Sequence, residues 1–193
     1  ITLLTLLIAL IVAALCYVLY VVIEYDRIED NLQLEVSAGN VQESAQKGKE
    51  YSIVTYNIGF GAYSPEYSFF LDSGEMLDGT QVTGIYAKGL SKEDVQKNTD
   101  GAVATLKGLD ADFYFVQEVD VDGDRSYHID QLAALREALG GDGTFAENFH
   151  SAYLLYPFND PHGKNTAGIA TFSQVQIHSA VRRRFPADPG FAK

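Results

Sequence analysis

The sequence predicts an α/β domain, a mixed sheet covered by helices, preceded by one transmembrane helix. Three observations lead there. An uncharged apolar run fills residues 3–23. Two amphipathic stretches, 91–109 and 126–139, carry apolar residues at helical spacing. Around them lie short runs dense in β-branched and aromatic residues, in the order strand, helix, strand, helix and then several strands.

Apart from its tyrosines the first run holds one hydroxyl residue, Thr5, and it holds no charge. As a helix it would be about 32 Å long, enough for a hydrocarbon core of about 30 Å. A cleaved signal peptide has a shorter apolar region, about 7–15 residues, ahead of a small-x-small site. Here Tyr17, Tyr20 and Tyr25 gather at one end like an interfacial belt. Residues 1–24 therefore read as a membrane anchor, with Cys16 a small apolar residue within it. Glu24, Asp26, Glu29 and Asp30 follow with only Arg27 opposing them. The positive-inside rule then places everything after Glu24 outside the cell. The expected localisation is the cell membrane, single-pass, with an extracellular soluble domain. Residues 25–50, polar and broken at Gly39 and Gly48, read as a juxtamembrane spacer, helical in part around Ile28 to Val36.

The soluble part, 51–193, opens with Tyr51-Ser52-Ile53-Val54-Thr55-Tyr56-Asn57-Ile58, a buried strand ending at Gly59-Phe60-Gly61. Residues 60–90 show no period and read as a long loop. Ser91 is the expected N-cap of a helix running to Leu109, with Val95, Ala102, Val103, Leu106 and Leu109 on its stripe. Phe113 to Val119 is a second apolar strand. A second helix follows from Ser126 to Leu139, stopped by Gly140-Gly141-Asp142-Gly143. Three more strands are expected at 149–156, 167–173 and 176–185.

Composition narrows the chemistry. The 193 residues are 47% apolar, so the chain has the means to build a core and is not a disordered type. With 26 acidic and 14 basic residues the net charge is -12, which argues against binding a nucleic-acid backbone by charge alone. One cysteine makes neither an internal disulfide nor a cysteine zinc site. His128, His150, His162 and His178 form no ligand-spaced pair, so zinc is not expected. Asp120-Val121-Asp122-Gly123-Asp124 suggests a calcium loop, but Arg125 and Gln131 stand where that loop needs Gly and Glu. No Gly-x-Ser-x-Gly elbow or Walker-type phosphate loop occurs. The one basic cluster, Arg182-Arg183-Arg184, suits either anionic head groups or a charged sheet edge.

Asn57 and Glu118 are polar residues at the ends of apolar strands. Ligands in open sheets bind outside such carboxyl ends. A carboxylate with an amide oxygen suits a hard cation such as Mg²⁺. The alternatives are an Asx turn at Asn57 and a solvated carboxylate at Glu118. Arg125 has two readings as well: a planar clamp for phosphate, or an ion pair with Asp122 or Asp124. His162 stands in a loop from which it would reach a substrate mouth. His128 reads as a solvated residue in the first turn of the second helix.

Thr55-Tyr56-Asn57-Ile58, followed by Val116-Gln117-Glu118-Val119, resembles the endonuclease/exonuclease/phosphatase superfamily, the DNase I-like fold. The stretch from Asp120 through Arg125, Ser126 and Tyr127 to Gln131 is similar to bacterial membrane-associated members. Lys164 to Ser173 resembles that family's small-residue turn and following strand. The resemblance spans about residues 51–185. It implies the N-terminal half of a DNase I-like four-layer sandwich. It also implies a metal-dependent hydrolase of phosphoester bonds, using Mg²⁺ (or Mn²⁺ or Ca²⁺). By position Glu118 becomes the metal ligand and Asn57 its catalytic neighbour. Arg125, Tyr127 and Asn165 become substrate-binding residues. The implied substrate is a phosphoester: nucleic acid, a phospholipid head group or a small molecule.

The family's Ser-Asp-His general base and Gly-Asp-Phe-Asn motif do not occur in these residues. The expectation is therefore an N-terminal fragment, itself inactive, of a protein that catalyses when intact. The alternative is a non-catalytic binding or scaffold domain on the cell surface with the same fold. Nothing in the sequence points to an oligomer.

Overall fold

The structure is a computed structural model describing residues 2–25 and 28–186. Helix α1 spans Thr2–Glu24 and buries none of its residues. It is long and apolar enough to cross a membrane. The next element contradicts the helical turn expected around Ile28 to Val36. Leu32–Leu34 and Val36–Ser37 are strands, β1 and β2. The reason is period two: Leu32, Leu34 and Val36 alternate with polar residues. Thus the segment read as a spacer joins the sheet, and Gly39 N donates to Asp142 Oδ1 at 2.9 Å.

The soluble part is built on a five-stranded mixed sheet of β2, β3 (Ile53–Asn57), β6 (Phe113–Gly123), β7 (Asp142–His150) and β8 (Asn165–Ser173). Its order is β2-β7-β8-β6-β3. Only β3 and β6 run parallel, with Asn57 opposite Gln117; the other pairings are antiparallel. A hairpin of β4 (Ser73–Glu75) and β5 (Gln81–Thr83) lies within the expected long loop. A short β9 (Ala180–Arg182) pairs with β1.

Helices α2 (Lys92–Leu109) and α3 (Gln131–Leu139) form the core with the sheet. Val95 and Leu106 of α2 and Leu135 of α3 are fully buried, as are Val116, Val119 and Ala170 of the sheet. Ser91 caps α2 as expected, accepting from Asp94 N. The second helix starts later than the sequence suggests, because Asp130 caps it and the 124–126 turn is 3-10.

Four expected strands are redrawn. The one expected at Phe113 to Val119 runs on to Gly123, because Val119, Val121 and Gly123 stay paired to or packed in the sheet, so Glu118 lies inside it and not at its end. The run 51–58 narrows to the edge strand Ile53–Asn57, mostly exposed because within it only Val54 packs against the core, while Ile58 just past its end is buried. The strand expected at 149–156 ends at His150 and begins already at Asp142. There the buried Asp142 carboxylate accepts from Gly39 N and Ile177 N, both at 2.9 Å. The strand expected at 176–185 shrinks to β9. The Arg182 guanidinium donates to the carbonyls of Glu147, Ile28 and Glu29, which fastens this end of the sheet.

Candidate functional site

Asn57 and Glu118 meet where the edge strand β3 ends, beside the middle of β6. Asn57 is the last residue of β3, and β6 runs beside it in the same direction. Asn57 Nδ2 donates to Glu118 Oε1 at 2.7 Å, and Gly59 N donates to Asn57 Oδ1 at 2.9 Å. The amide is thereby fixed at both ends.

Glu118 owes its aim to a β-bulge. Between Val116 and Val119 the register against β8 slips, and Glu118 takes φ 54°. Such a bulge re-aims a side chain out of the regular alternation. A left-handed non-glycine residue costs about 1–2 kcal/mol, so the surrounding pairing must hold it there. Next to it Gly59, Phe60 and Gly61 all have positive φ. A Cβ on Gly61 would stand 2.8 Å from Gln131 Nε2 and 2.9 Å from Thr99 Oγ1. Asn98 of α2 holds this turn, donating to Gly61 O and to Ser64 Oγ at 2.9 Å.

These residues form the wall of a cleft of about 690 Å³, lined also by Tyr63, Lys97, Gly101 and Thr105. The α2 contribution escapes a reading based on strand ends. Its signal was present as a polar and small stripe, Lys97, Gly101 and Thr105, spaced i, i+4, i+8 on one helix face. Burial pushes the Tyr63 phenol up, and the charges of Asp72 and Glu118 add to the effect. Tyr63 is therefore a neutral O–H donor at neutral pH.

The other predicted site residues lie elsewhere in the packing. Arg125 pairs with neither Asp122 nor Asp124. Its Nη2 donates to Oδ1 of the fully buried Asp120 at 2.7 Å and its Nε to Oδ2 at 3.0 Å. The guanidinium also covers the Phe60 ring at 4.0 Å, with the Phe149 ring 5.1 Å away. Asn165 is fully buried, accepting from Arg125 N and donating to His162 O. Tyr127 donates to Gly89 O at 2.9 Å. These three side chains brace the loops behind the cleft and are not among its lining residues. His162 likewise is buried, its Nδ1 2.7 Å from Ala87 O. His128 lies before α3 and contacts Asp122 at 2.6 Å.

The donor set for a cation is small. Among the described residues no group of three or more His, Cys, Asp and Glu gathers to hold a metal. Glu118 is the carboxylate of the cleft, and Asn57 Oδ1 already accepts from Gly59. One carboxylate with water and substrate oxygens is a mode that Mg²⁺ accepts. It would place Glu118 as ligand and Asn57 as the residue that orients it. Comparison of the chain with protein-family models, with curated proteins and with solved structures finds no match in any of the three.

Proposed function

We propose that this chain carries the cation- and phosphate-binding side of a metal-dependent phosphoester hydrolase, held at a membrane by α1 with the domain outside the cell. The observation that carries this reading is the 2.7 Å contact between Asn57, at the end of β3, and Glu118, at the bulge within β6. It supports the roles that the resemblance implies for those two positions. A strained backbone at Glu118 supports a functional site as well, because such conformations gather where geometry serves binding.

Glu118 would hold one divalent cation, and Asn57 would keep its carboxylate turned to the cleft. The cation would supply charge neutralisation on a phosphoryl oxygen. Lys97 brings a positive charge to the same cleft, and Tyr63 a hydroxyl donor, both suited to phosphate oxygens. The buried Asp120–Arg125 pair would keep the floor behind these residues rigid.

A second reading, binding of a phosphoester without turnover, is favoured by one observation: among the described residues no histidine lines the cleft to serve as general base. A titration of the full chain in detergent with Mn²⁺, followed by electron paramagnetic resonance, tests the cation site. The expected result is one bound ion per chain, lost in Glu118→Gln. Hydrolysis of bis(p-nitrophenyl) phosphate under the same conditions separates catalysis from binding alone.

A further inference from the structure

The loop 153–158 presents apolar side chains, and the N–H groups of its first three residues are hydrogen-bonded. Phe158 is 82% exposed, Tyr156 60% and Leu155 39%. Backbone partners come from two places. Leu154 exchanges both of its bonds with Gly163, at 3.0 and 3.1 Å. Tyr156 O and Pro157 O accept from His162 N and Asp160 N, and the backbone groups of Tyr153 and Leu155 turn to α1. Tyr153 N donates to Tyr20 Oη at 3.0 Å, and Leu155 N donates to Tyr17 Oη at 3.1 Å. Tyr17 Oη in turn donates to Tyr153 O at 3.1 Å. Farther along, Lys164 Nζ approaches Glu24 at 3.5 Å, beside the end of α1.

Depth follows from helix geometry. Tyr20 and Tyr17 precede Glu24 by one and two turns, about 6 and 10 Å along the axis. Side chains on a helix lean toward its N-terminus, which is farther into the bilayer here. A backbone brought to that depth needs a protein partner for each N–H, because lipid offers none. The N–H groups of Tyr153, Leu154 and Leu155 each have one.

We propose that residues 153–158 are a second membrane contact, seated in zwitterionic lipid at the boundary between head groups and acyl chains. This rests on the reading of α1 as a membrane anchor. The aromatic character of the loop suits that boundary, where Tyr rings prefer to sit. Neutral lipid is the fitting surface, since a chain of net charge -12 is repelled by an anionic one. The loop is not a loose flap. Ring contacts run from Phe158 to Tyr156 at 5.9 Å and on to Phe70 at 5.7 Å. His162, which packs on Phe70 and Phe69, joins the loop to the aromatic cluster around Phe60. Seating the loop therefore fixes how the whole domain faces the membrane, and with it the cleft.

The chain has no Trp, so single reporters can be introduced without removing any. The full chain carrying Phe158→Trp or Leu10→Trp is reconstituted in phosphatidylcholine vesicles whose acyl chains are brominated. Both reporters are expected to lose intensity to bromine, with Trp emission at 158 shifted to shorter wavelength and quenched most by bromine near the head groups. Adding Tyr17→Phe and Tyr20→Phe should restore emission from the 158 reporter and leave the reporter at 10 quenched. If the reporter at 10 escapes quenching, the anchor reading fails and the proposal with it. If only the reporter at 158 escapes, the anchor stands and the loop contact is overturned. A blue-shifted but unquenched reporter at 158 also overturns it, because the loop would then be covered by protein.

Discussion

Asn57 and Glu118 are 61 positions apart in the chain and 2.7 Å apart in space, amide nitrogen to carboxylate oxygen. Parallel pairing of β3 with β6 brings their strands together, and the bulge at Glu118 turns its carboxylate toward the amide. In the proposed site Asn57 would act on a cation through Glu118. Asn57→Ala should weaken Mn²⁺ binding by about 10–100-fold, the usual effect of losing an orienting partner, without abolishing it. Affinity from calorimetric titration is the measurement. Equal affinity in the variant would show that the contact positions nothing.

Gly61 has φ 71° and packs against α2 and α3 side chains. Gly61→Ala should cost about 1–3 kcal/mol through left-handed strain and crowding. Chemical denaturation of the two proteins side by side reads this directly. An unchanged midpoint would mean that the turn relaxes freely.

The Asp120–Arg125 pair is buried, with side-chain exposures of 0% and 10%. Removing Arg125 alone leaves a carboxylate in the core without its partner. Arg125→Ala should then cost about 3–5 kcal/mol, as breaking a buried pair does. Neutralising both residues together should cost less than the two single changes summed, and a double-mutant cycle measures the difference. Additive effects would mean that the two side chains are independent.

Burial holds the His162 imidazole below its ordinary value of 6.5, only partly offset by the contact with the Ala87 carbonyl. The folded protein keeps the ring neutral where the unfolded chain would protonate it. This contribution is full above about pH 6.5 and falls as pH drops from there to the lowered folded value. The Tm of His162→Asn should accordingly change less between pH 8 and pH 5 than that of the parent. The same pH response in both proteins would remove His162 as the cause.

The end of β3 was legible because Asn57 interrupts an apolar run, and the helices because their stripes keep a 3.6-residue period. Glu118 interrupts its run as well, but there the polar residue marks a bulge and β6 continues past it. Arg125 was harder to place. Sequence proximity offered Asp122 and Asp124 as its partners, and only the path of β6 and the turn after it turns Asp120 inward to take that place. Asn165 has the donors and acceptors of a ligand-binding residue, but the loop packing consumes them. The strands in 32–37 were obscured by the polar composition around them, since a three-residue strand needs its partner to be recognised.

The central claim is that Glu118 holds a divalent cation in the cleft beside Asn57. Anomalous scattering from crystals of the full chain soaked in Mn²⁺ tests it most directly. The account predicts a peak within coordination distance of the Glu118 carboxylate, at the end of β3, and its loss in Glu118→Gln. No peak there, or peaks only at surface carboxylates remote from the cleft, would contradict it.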